Sequence, residues 1–395
     1  MSTIATYYWP GQTQFGYGAV QLVGAEAKTL GARRKVFVVT DEGIVAAGLL
    51  QPVLASLTAA GLAAEVFDQI PTNPTTTAVD TAAAQLRESG AELIVALGGG
   101  SPIDAGKALR TLAGGPPEAK IAEYALMLGD EVRPLPTVPQ MPPMIAIPTT
   151  AGTGAEVTPW GVITDEARKL KMGFGGPATI PTVALVDPGM TLTLPPRLTA
   201  ATGMDALTHL IEAYVSTNMA PIALDALILD GIGRIGRFLR LAVAQPAHRQ
   251  AREEMMLASM LGGIAISSRW LGAAHSLAHQ LSGVAHLHHG LACAMVLPTI
   301  MKFNLPGALE RYARVAQALA PTSQVGSVRH EAERAVMAVR DLMIDVNLPL
   351  RLRDVGVTEA MIPELADNAI LDLNWTTNPR AITRDQMAAL FQETY

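Results

Sequence analysis

The chain has 395 residues, is 49% hydrophobic and 16% charged, and carries a formal charge of −6. That composition excludes a disordered chain and gives length for two domains of ordinary size. With no basic block and no long acidic tail, it argues against nucleic acid or an anionic membrane as partner.

The single cysteine, Cys293, excludes an internal disulfide and Cys-based zinc or iron–sulfur ligation. It lies in an apolar run and reads as inert core rather than a nucleophile. Residues 1–10 lack the basic and apolar regions of a signal peptide, and the charge-free windows are too short or too broken to span a bilayer. The expectation is a cytoplasmic protein.

The first half alternates strands and helices. Residues 35–40 form a β-rich run ending at Asp41, 49–60 have helical spacing, and 64–68 read as the next strand. Residues 76–89 read as a helix closed by Gly90, 92–97 as a buried strand and 101–112 as a helix. Residues 144–147 and 183–186 are further strands, and Pro-rich loops occupy 114–117 and 133–143. This order predicts a parallel sheet with helices on both faces. After about residue 190 only 3.6-residue periodicity remains, in windows at 201–216, 222–243, 249–268, 275–281, 290–303, 309–318 and 331–346. The expected division is an α/β domain over 1–190 and an all-helical domain over 191–395.

Two small-residue loops follow strands of the first half. Gly98-Gly-Gly-Ser101-Pro-Ile-Asp104 opens a helix, with Ser101 placed as N-cap, Pro102 at the first helical position and Asp104 in a capping box. Glycines feeding a helix N-terminus suit an anion, though the loop equally fits a tight turn without a ligand. The second loop is Pro148-Thr-Thr-Ala-Gly-Thr-Gly154. Such loops at the carboxyl ends of parallel strands are where open α/β sheets bind nucleotides. Asp41 ends an earlier strand in the same way. Its carboxylate suits a ribose diol and opposes a 2′-phosphate, unless it is simply a turn or N-cap residue.

All eight histidines lie in the helical half, six of them in two places: His209, and a cluster of His275, His279, His286, His288 and His289. Asp205 and His209 are four residues apart, so both face one side of a helix. A carboxylate and an imidazole so placed are half of a first-row metal site, and the later cluster offers the rest. DxxxH alone is more often an ordinary polar helix face. The cluster's apolar flanks weigh against that, because buried histidines need partners.

Taken in order, these pieces resemble the iron-containing (group III) alcohol dehydrogenase family, of the dehydroquinate synthase-like superfamily. The resemblance spans essentially the whole chain and rests on Gly98-Gly-Gly-Ser-Pro-Ile-Asp-Ala-Gly-Lys, Pro148-Thr-Thr-Ala-Gly-Thr-Gly-Ala-Glu-Val-Thr, Val186-Asp-Pro, Ala201-Thr-Gly-Met-Asp-Ala-Leu-Thr-His, Ala274-His-Ser-Leu-Ala-His, His289-Gly and Asn378-Pro-Arg. It implies a Rossmann-like dinucleotide-binding domain followed by an all-α metal-binding domain, with the active site in the cleft between them and a homodimer as the assembly.

By position in those motifs, Asp205, His209, His275 and His289 would ligate a divalent metal, Fe(II) or alternatively Zn(II). His279 would lie near the metal and the nicotinamide without ligating and would relay the proton, while His286 and His288 match no ligand position. The same resemblance assigns NAD(H) to Asp41, Asn73, Gly98, Gly99, Gly100, Ser101, Asp104, Thr149, Thr150, Thr153 and Lys171. The implied reaction is hydride transfer between a small alcohol and its aldehyde or ketone, the metal stabilising the alkoxide. Dehydroquinate synthase-like, glycerol dehydrogenase-like and maleylacetate reductase-like enzymes share the architecture and remain alternatives.

The chain departs from the family pattern at Ser268-Arg-Trp-Leu-Gly272, where small residues are usual. Arg269 is placed either to meet an anionic substrate tail or to point to solvent. Trp270 and Trp160 are placed either to narrow a pocket or to fill core.

Overall fold

The computed structural model describes residues 6–126, 131–168, 170–219, 222–323 and 326–395. Residues 1–5, on which part of the reading of the N-terminus rests, lie outside that set. The chain divides into two compact units: Tyr8–Thr150 with Gly154–Thr193, and Leu194–Tyr395 with Tyr7 and Ala151–Thr153.

The first unit is α/β. Its strands among the described residues are β1 (Gln12–Phe15), β2 (Lys35–Val39), β3 (Ala63–Phe67), β4 (Leu93–Gly98), β5 (Ala125–Leu126), β6 (Met144–Pro148), β7 (Trp160–Asp165), β8 (Leu170–Gly175) and β9 (Val183–Val186). Six of them form a parallel sheet in the order β1-β9-β6-β4-β2-β3. The helices are α1 (Val23–Thr29), α2 (Glu42–Ala46), α3 (Leu50–Ala59), α4 (Thr76–Ser89) and α5 (Gly100–Gly114).

Side chains alternate across this sheet. Phe37, Val39, Ile94, Ala96, Met144 and Ala146 pack in one core with residues of α4 and α5. Val36, Val38, Leu93, Val95, Leu97 and Ile145 join another with α1 and α3. A strand buried on both faces reads as a continuous apolar run, which is why β2, β4, β6 and β9 are visible in the sequence. The edge strand β1, with Gln12, Thr13 and Gln14, is not visible there, nor is the antiparallel sheet β5-β8-β7 inserted after α5.

The chain runs outward from β2 to β3, then crosses back to β4 and continues the other way through β6 and β9. The reversal lies between β2 and β4, so the loops after these two strands flank the switch point of the sheet.

The second unit contains no strand among its described residues. Its helices are α6 (Pro196–Val215), α7 (Leu224–Ala244), α8 (Arg249–Arg269), α9 (Ala273–Gly283), α10 (His289–Asn304), α11 (Leu309–Leu319), α12 (Val328–Asp345), α13 (Ile362–Ala369) and α14 (Arg384–Thr394). α6 is central: every residue from Thr199 to Val215 is buried, polar ones included, and α7, α8 and α10 pack around it. A polar residue on such a helix cannot be left to water, so Asp205, His209 and Glu212 must find partners inside the unit. No helix among the described residues is long and apolar enough to cross a membrane.

Candidate metal and nucleotide sites

Three helices of the second unit build one cluster. α6 carries Asp205 and His209, α9 carries His275 and His279, and α10 begins with His289. α10 can start there because residue 290 is glycine: a Cβ at Gly290 would lie 2.5 Å from the Ala201 carbonyl oxygen of α6.

The Oδ1 atom of Asp205 lies 3.7 Å from His209 Nε2, 3.8 Å from His275 Nε2 and 3.5 Å from His289 Nε2. That oxygen is buried and has no hydrogen-bond partner. A desolvated carboxylate oxygen without a hydrogen bond is costly, and imidazole nitrogens converging on it supply the complementary half of a cation site.

The rings are held from behind. His209 Nδ1–H donates to the Gly152 carbonyl at 3.2 Å, and His275 Nδ1–H donates to Glu212 Oε2 at 2.6 Å. The other Glu212 oxygen accepts from the Ala274 N–H at 2.6 Å. His279 Nδ1–H donates to Asp372 Oδ2 at 2.6 Å, while Asp372 Oδ1 accepts from Ser276 Oγ and from the Asn374 N–H. With Nδ1 fixed as a donor, Nε2 of His209 and His275 is the atom turned to Asp205. Locking a ring by its far nitrogen is how protein metal sites orient imidazole ligands.

Burial pushes His209 down to about 4, so that ring is neutral and able to donate a lone pair. Burial works against protonating His275 as well, but the Glu212 charge and hydrogen bond outweigh it and its pKa is raised. Burial likewise opposes ionising Asp372, and the charge and hydrogen bond of His279 overcome that and hold its carboxyl below the usual range.

Cys293 is fully buried but is not surrounded by apolar groups alone. It sits one helical turn after His289, with Sγ 3.6 Å from His289 Nε2 and 3.7 Å from His275 Nε2. Among the described residues, one ligand atom from each of Asp205, His275, His289 and Cys293 lies within 4.8 Å of the others.

Of the residues the sequence reading passed over, Glu212 carried a signal. It follows Asp205 by seven and His209 by three, on the same helical stripe. Cys293, four after His289, carried one too. Asp372, far along the chain, did not.

In the first unit, Gly98 has φ +153°, and a Cβ there would lie 2.5 Å from Pro102 Cγ; only glycine turns the chain so sharply into α5. Gly99 packs on the Thr150 side chain, and the Thr149 N–H donates to the Gly98 carbonyl at 2.9 Å, drawing the two small-residue loops together.

The predicted capping box is absent. α5 starts at Gly100 with Gly99 as N-cap and no side-chain cap. The Ser101 hydroxyl donates instead to the Thr72 carbonyl. Asp104 turns away, accepting from the Val162 N–H at 2.9 Å and from Lys107 at 3.4 Å. The glycines let the helix begin earlier than Ser101 would, and its first amides carry no side-chain cap of their own.

Asp41 caps α2, its Oδ1 accepting from the Ile44 N–H at 2.9 Å, and burial raises its pKa. The turn-or-cap reading of Asp41 therefore describes one of its oxygens. Lys171 is buried rather than a solvated surface charge, and Nζ lies 3.4 Å from Asn73 Oδ1. Thr149 Oγ1 is buried without a hydrogen-bond partner among the described residues.

Arg269 does not point to solvent. It is fully buried, with Nη2 2.6 Å from Asp225 Oδ1, an oxygen shared with Arg311. Trp160 and Trp270 are half-buried, and Trp270 closes α8 with φ 68°.

A doubly wound unit with small-residue loops at its switch point, together with a helical unit holding a carboxylate–imidazole cluster, is the architecture of a metal-assisted, nucleotide-using oxidoreductase. The chain belongs to the iron-containing alcohol dehydrogenase family: residues 10–188 match the iron-containing alcohol dehydrogenase model, and 199–395 match the C-terminal model of the Fe-containing alcohol dehydrogenase family. It is 38% identical over 391 residues to 1,3-propanediol dehydrogenase of Klebsiella pneumoniae, covering 98% of each chain. It is 35% identical over 389 residues to NAD-dependent methanol dehydrogenase of Bacillus methanolicus, covering 98% of this chain and 99% of that one. A crystal structure of 1,3-propanediol oxidoreductase superposes with a TM-score of 0.93 at 37% identity, covering 100% of both chains. The chain is thus an enzyme that interconverts an alcohol and its carbonyl compound with a nicotinamide cofactor.

Proposed function

We propose that the protein interconverts a short-chain alcohol and its aldehyde or ketone by hydride transfer to and from NAD, with a divalent ion held by Asp205, His209, His275 and His289. The observation that carries this reading is the buried Asp205 oxygen, unpartnered and facing three imidazole Nε2 atoms at 3.5–3.8 Å. One carboxylate with neutral imidazoles suits Fe(II), the ion of the family's name, and also accepts Zn(II). When bound, the ion supplies Lewis acidity at the substrate oxygen and the nicotinamide supplies the hydride acceptor.

The chain's own residues do the rest. Glu212 and the Gly152 carbonyl fix the tautomers of His275 and His209, so their Nε2 lone pairs are aimed before any ligand arrives. His279 is placed to take the hydroxyl proton at Nε2. Its ring centroid lies 5.9 Å from that of His275 and 5.3 Å from that of His289, and Asp372 at Nδ1 stabilises the resulting imidazolium.

In the nucleotide unit, Gly98, Gly99, Gly100 and Ser101 present backbone amides to the pyrophosphate, aided by Thr149 and Thr150 and by Thr153 of the helical unit. Asn73 and Lys171, joined through their side chains, meet the nucleotide's polar groups. Asp104 contributes by pinning α5 to β7. Asp41 selects NAD over NADP by its charge. A cytoplasmic homodimer completes the proposal, supported by a lone cysteine outside any disulfide and by the prevalence of symmetric oligomers.

The test is NADH oxidation against a panel of short aldehydes, ketones and carboxylated carbonyls, run on metal-stripped and Fe(II)-reconstituted protein. Metal-dependent turnover of short aldehydes is expected. Full turnover in protein shown to be metal-free by elemental analysis overturns the proposal.

A further inference from the structure

Each of the three helices in the cluster presents a pair four residues apart: Asp205/His209, His275/His279 and His289/Cys293. The first two pairs are accounted for above and the third only by half. Spacing of four puts Cys293 on the same face as His289. Its sulfur touches the Nε2 edges of two proposed ligands, at 3.6 and 3.7 Å. With Zn–S near 2.3 Å and Zn–N near 2.0–2.1 Å, two donors at a tetrahedral corner angle lie about 3.6 Å apart. The sulfur is therefore at donor spacing from both imidazoles. The Asp205 oxygen, buried and unpartnered, faces the same space.

We infer that Cys293 is a sulfur donor to the metal, resting on the metal-site reading above. Asp205, His275 and His289 are common to two overlapping sets. His209 completes the first, three imidazoles and a carboxylate, which suits Fe(II). Cys293 completes the second, which suits the more thiophilic Zn(II) and Co(II). Binding through sulfur exchanges the S–H proton for the metal and releases that proton to solvent. The second set holds a tetrahedral ion with four protein donors and leaves no position for a substrate oxygen, as structural rather than catalytic zinc sites do. The site thus discriminates between metals by which helix supplies the fourth donor: iron bound for turnover, zinc bound closed.

The test uses the full-length protein, stripped and reloaded with Co(II), whose bonds to thiolate sulfur give a charge-transfer band in the near ultraviolet. One cobalt per chain with that band is expected, and the band should vanish in Cys293→Ser. His209→Ala should still bind one cobalt and keep the band. Cys293→Ser should weaken Zn(II) binding by more than about tenfold while leaving Fe(II) binding within about twofold, since even a residue that only supports a ligand is worth about 10–100-fold. One cobalt per chain without the band, in both the unmodified protein and His209→Ala, overturns the inference and leaves the metal site standing. No cobalt bound at all overturns both. The first arm needs no substitution, so a variant that fails to fold does not blunt it.

Discussion

The two units build their sites from different material. In the helical unit, the proposed ligation is the work of side chains fixed on α6, α9 and α10, with the rings of His209, His275 and His279 locked from behind by a carboxylate or a carbonyl. In the α/β unit, the proposed anion site is mostly backbone: three glycines, two threonines and a helix start without a side-chain cap. Side chains near it mostly serve the fold, as Asp104 and Lys107 do in tying α5 to β7. Helix-borne chemistry is specified residue by residue, whereas loop-borne chemistry is specified by conformation. Substitutions in the two units should therefore fail differently.

The largest effect is expected at His275. His275→Ala removes a donor and leaves Glu212 buried without its imidazole partner. Metal affinity should fall by more than the roughly 100-fold cost of losing a supporting residue, and turnover with it. NAD binding should be nearly unchanged, because Asp41, Asn73, residues 98–101, Thr149, Thr150 and Lys171 belong to the other unit and only Ala151–Thr153 of the second loop lies with the helices. Elemental analysis together with an NADH fluorescence titration checks this. Loss of nucleotide binding in parallel with metal would break the division of labour.

Arg269→Ala tests whether a basic residue close in sequence to a ligand helix serves the substrate or the fold. Arg269 is fully buried against Asp225 and lends its carbonyl to the Ser216 hydroxyl. Removing one member of a buried ion pair costs about 3–5 kcal/mol. The expected outcome is a markedly lower unfolding midpoint, with KM values for anionic and neutral substrates moving alike. A selective rise in KM for anionic substrates at unchanged stability would restore Arg269 to the pocket.

These cases show what the sequence carried. Strands β2, β4, β6 and β9 were legible because both faces are buried, giving unbroken apolar runs. The edge strand β1 and the small antiparallel sheet were not, since β1 is polar at Gln12, Thr13 and Gln14, and β7 and β8 interleave Thr164, Asp165, Lys171 and glycines with their apolar residues. Asp205 and His209 were legible because helical spacing is a local rule. Glu212 and Cys293 obeyed that rule too, but Glu212 was passed over as one more acidic residue, and Cys293 was read as inert core because an apolar neighbourhood in sequence suggested an apolar one in space. Arg269 misled for the opposite reason: its partner Asp225 lies on another helix, and nothing local announces it. Asp372, which holds His279 from far along the chain, is of the same kind.

Glu156 sharpens the comparison on the α/β side. It is buried, one of its oxygens lacks a hydrogen bond, and burial lifts its pKa to about 7 despite Lys107 nearby. A carboxyl whose folded pKa lies above its ordinary 4.5 contributes stability in full below that value and loses it as pH rises through about 7. The loss is on the order of 3 kcal/mol at most. Glu156→Gln keeps the shape without the ionisation, so its stability should hold between pH 6 and 8 where that of the unmodified protein declines. Parallel urea melts across that window decide it. Identical pH profiles would mean that Glu156 ionises without cost in the folded chain.

The smallest expected effect lies at Asp41, where fold and recognition meet in one carboxylate. As N-cap of α2 it accepts from the Ile44 N–H, and as a charge beyond β2 it is proposed to repel a 2′-phosphate. Asparagine separates the two roles, because it caps about as well as aspartate but carries no charge. Asp41→Asn should leave the unfolding midpoint nearly unchanged and raise kcat/KM for NADPH about tenfold, or about 1.4 kcal/mol, with little change for NADH. Asp41→Ala loses both the cap and the charge, so it should match Asn in cofactor preference and add about 1 kcal/mol of instability. If Asn leaves the cofactor preference untouched, Asp41 is only a cap. The nucleotide unit would then recognise its ligand through the loop backbone, with Asn73 and Lys171 as the polar side chains of the proposed site, and no carboxylate would choose between the two cofactors.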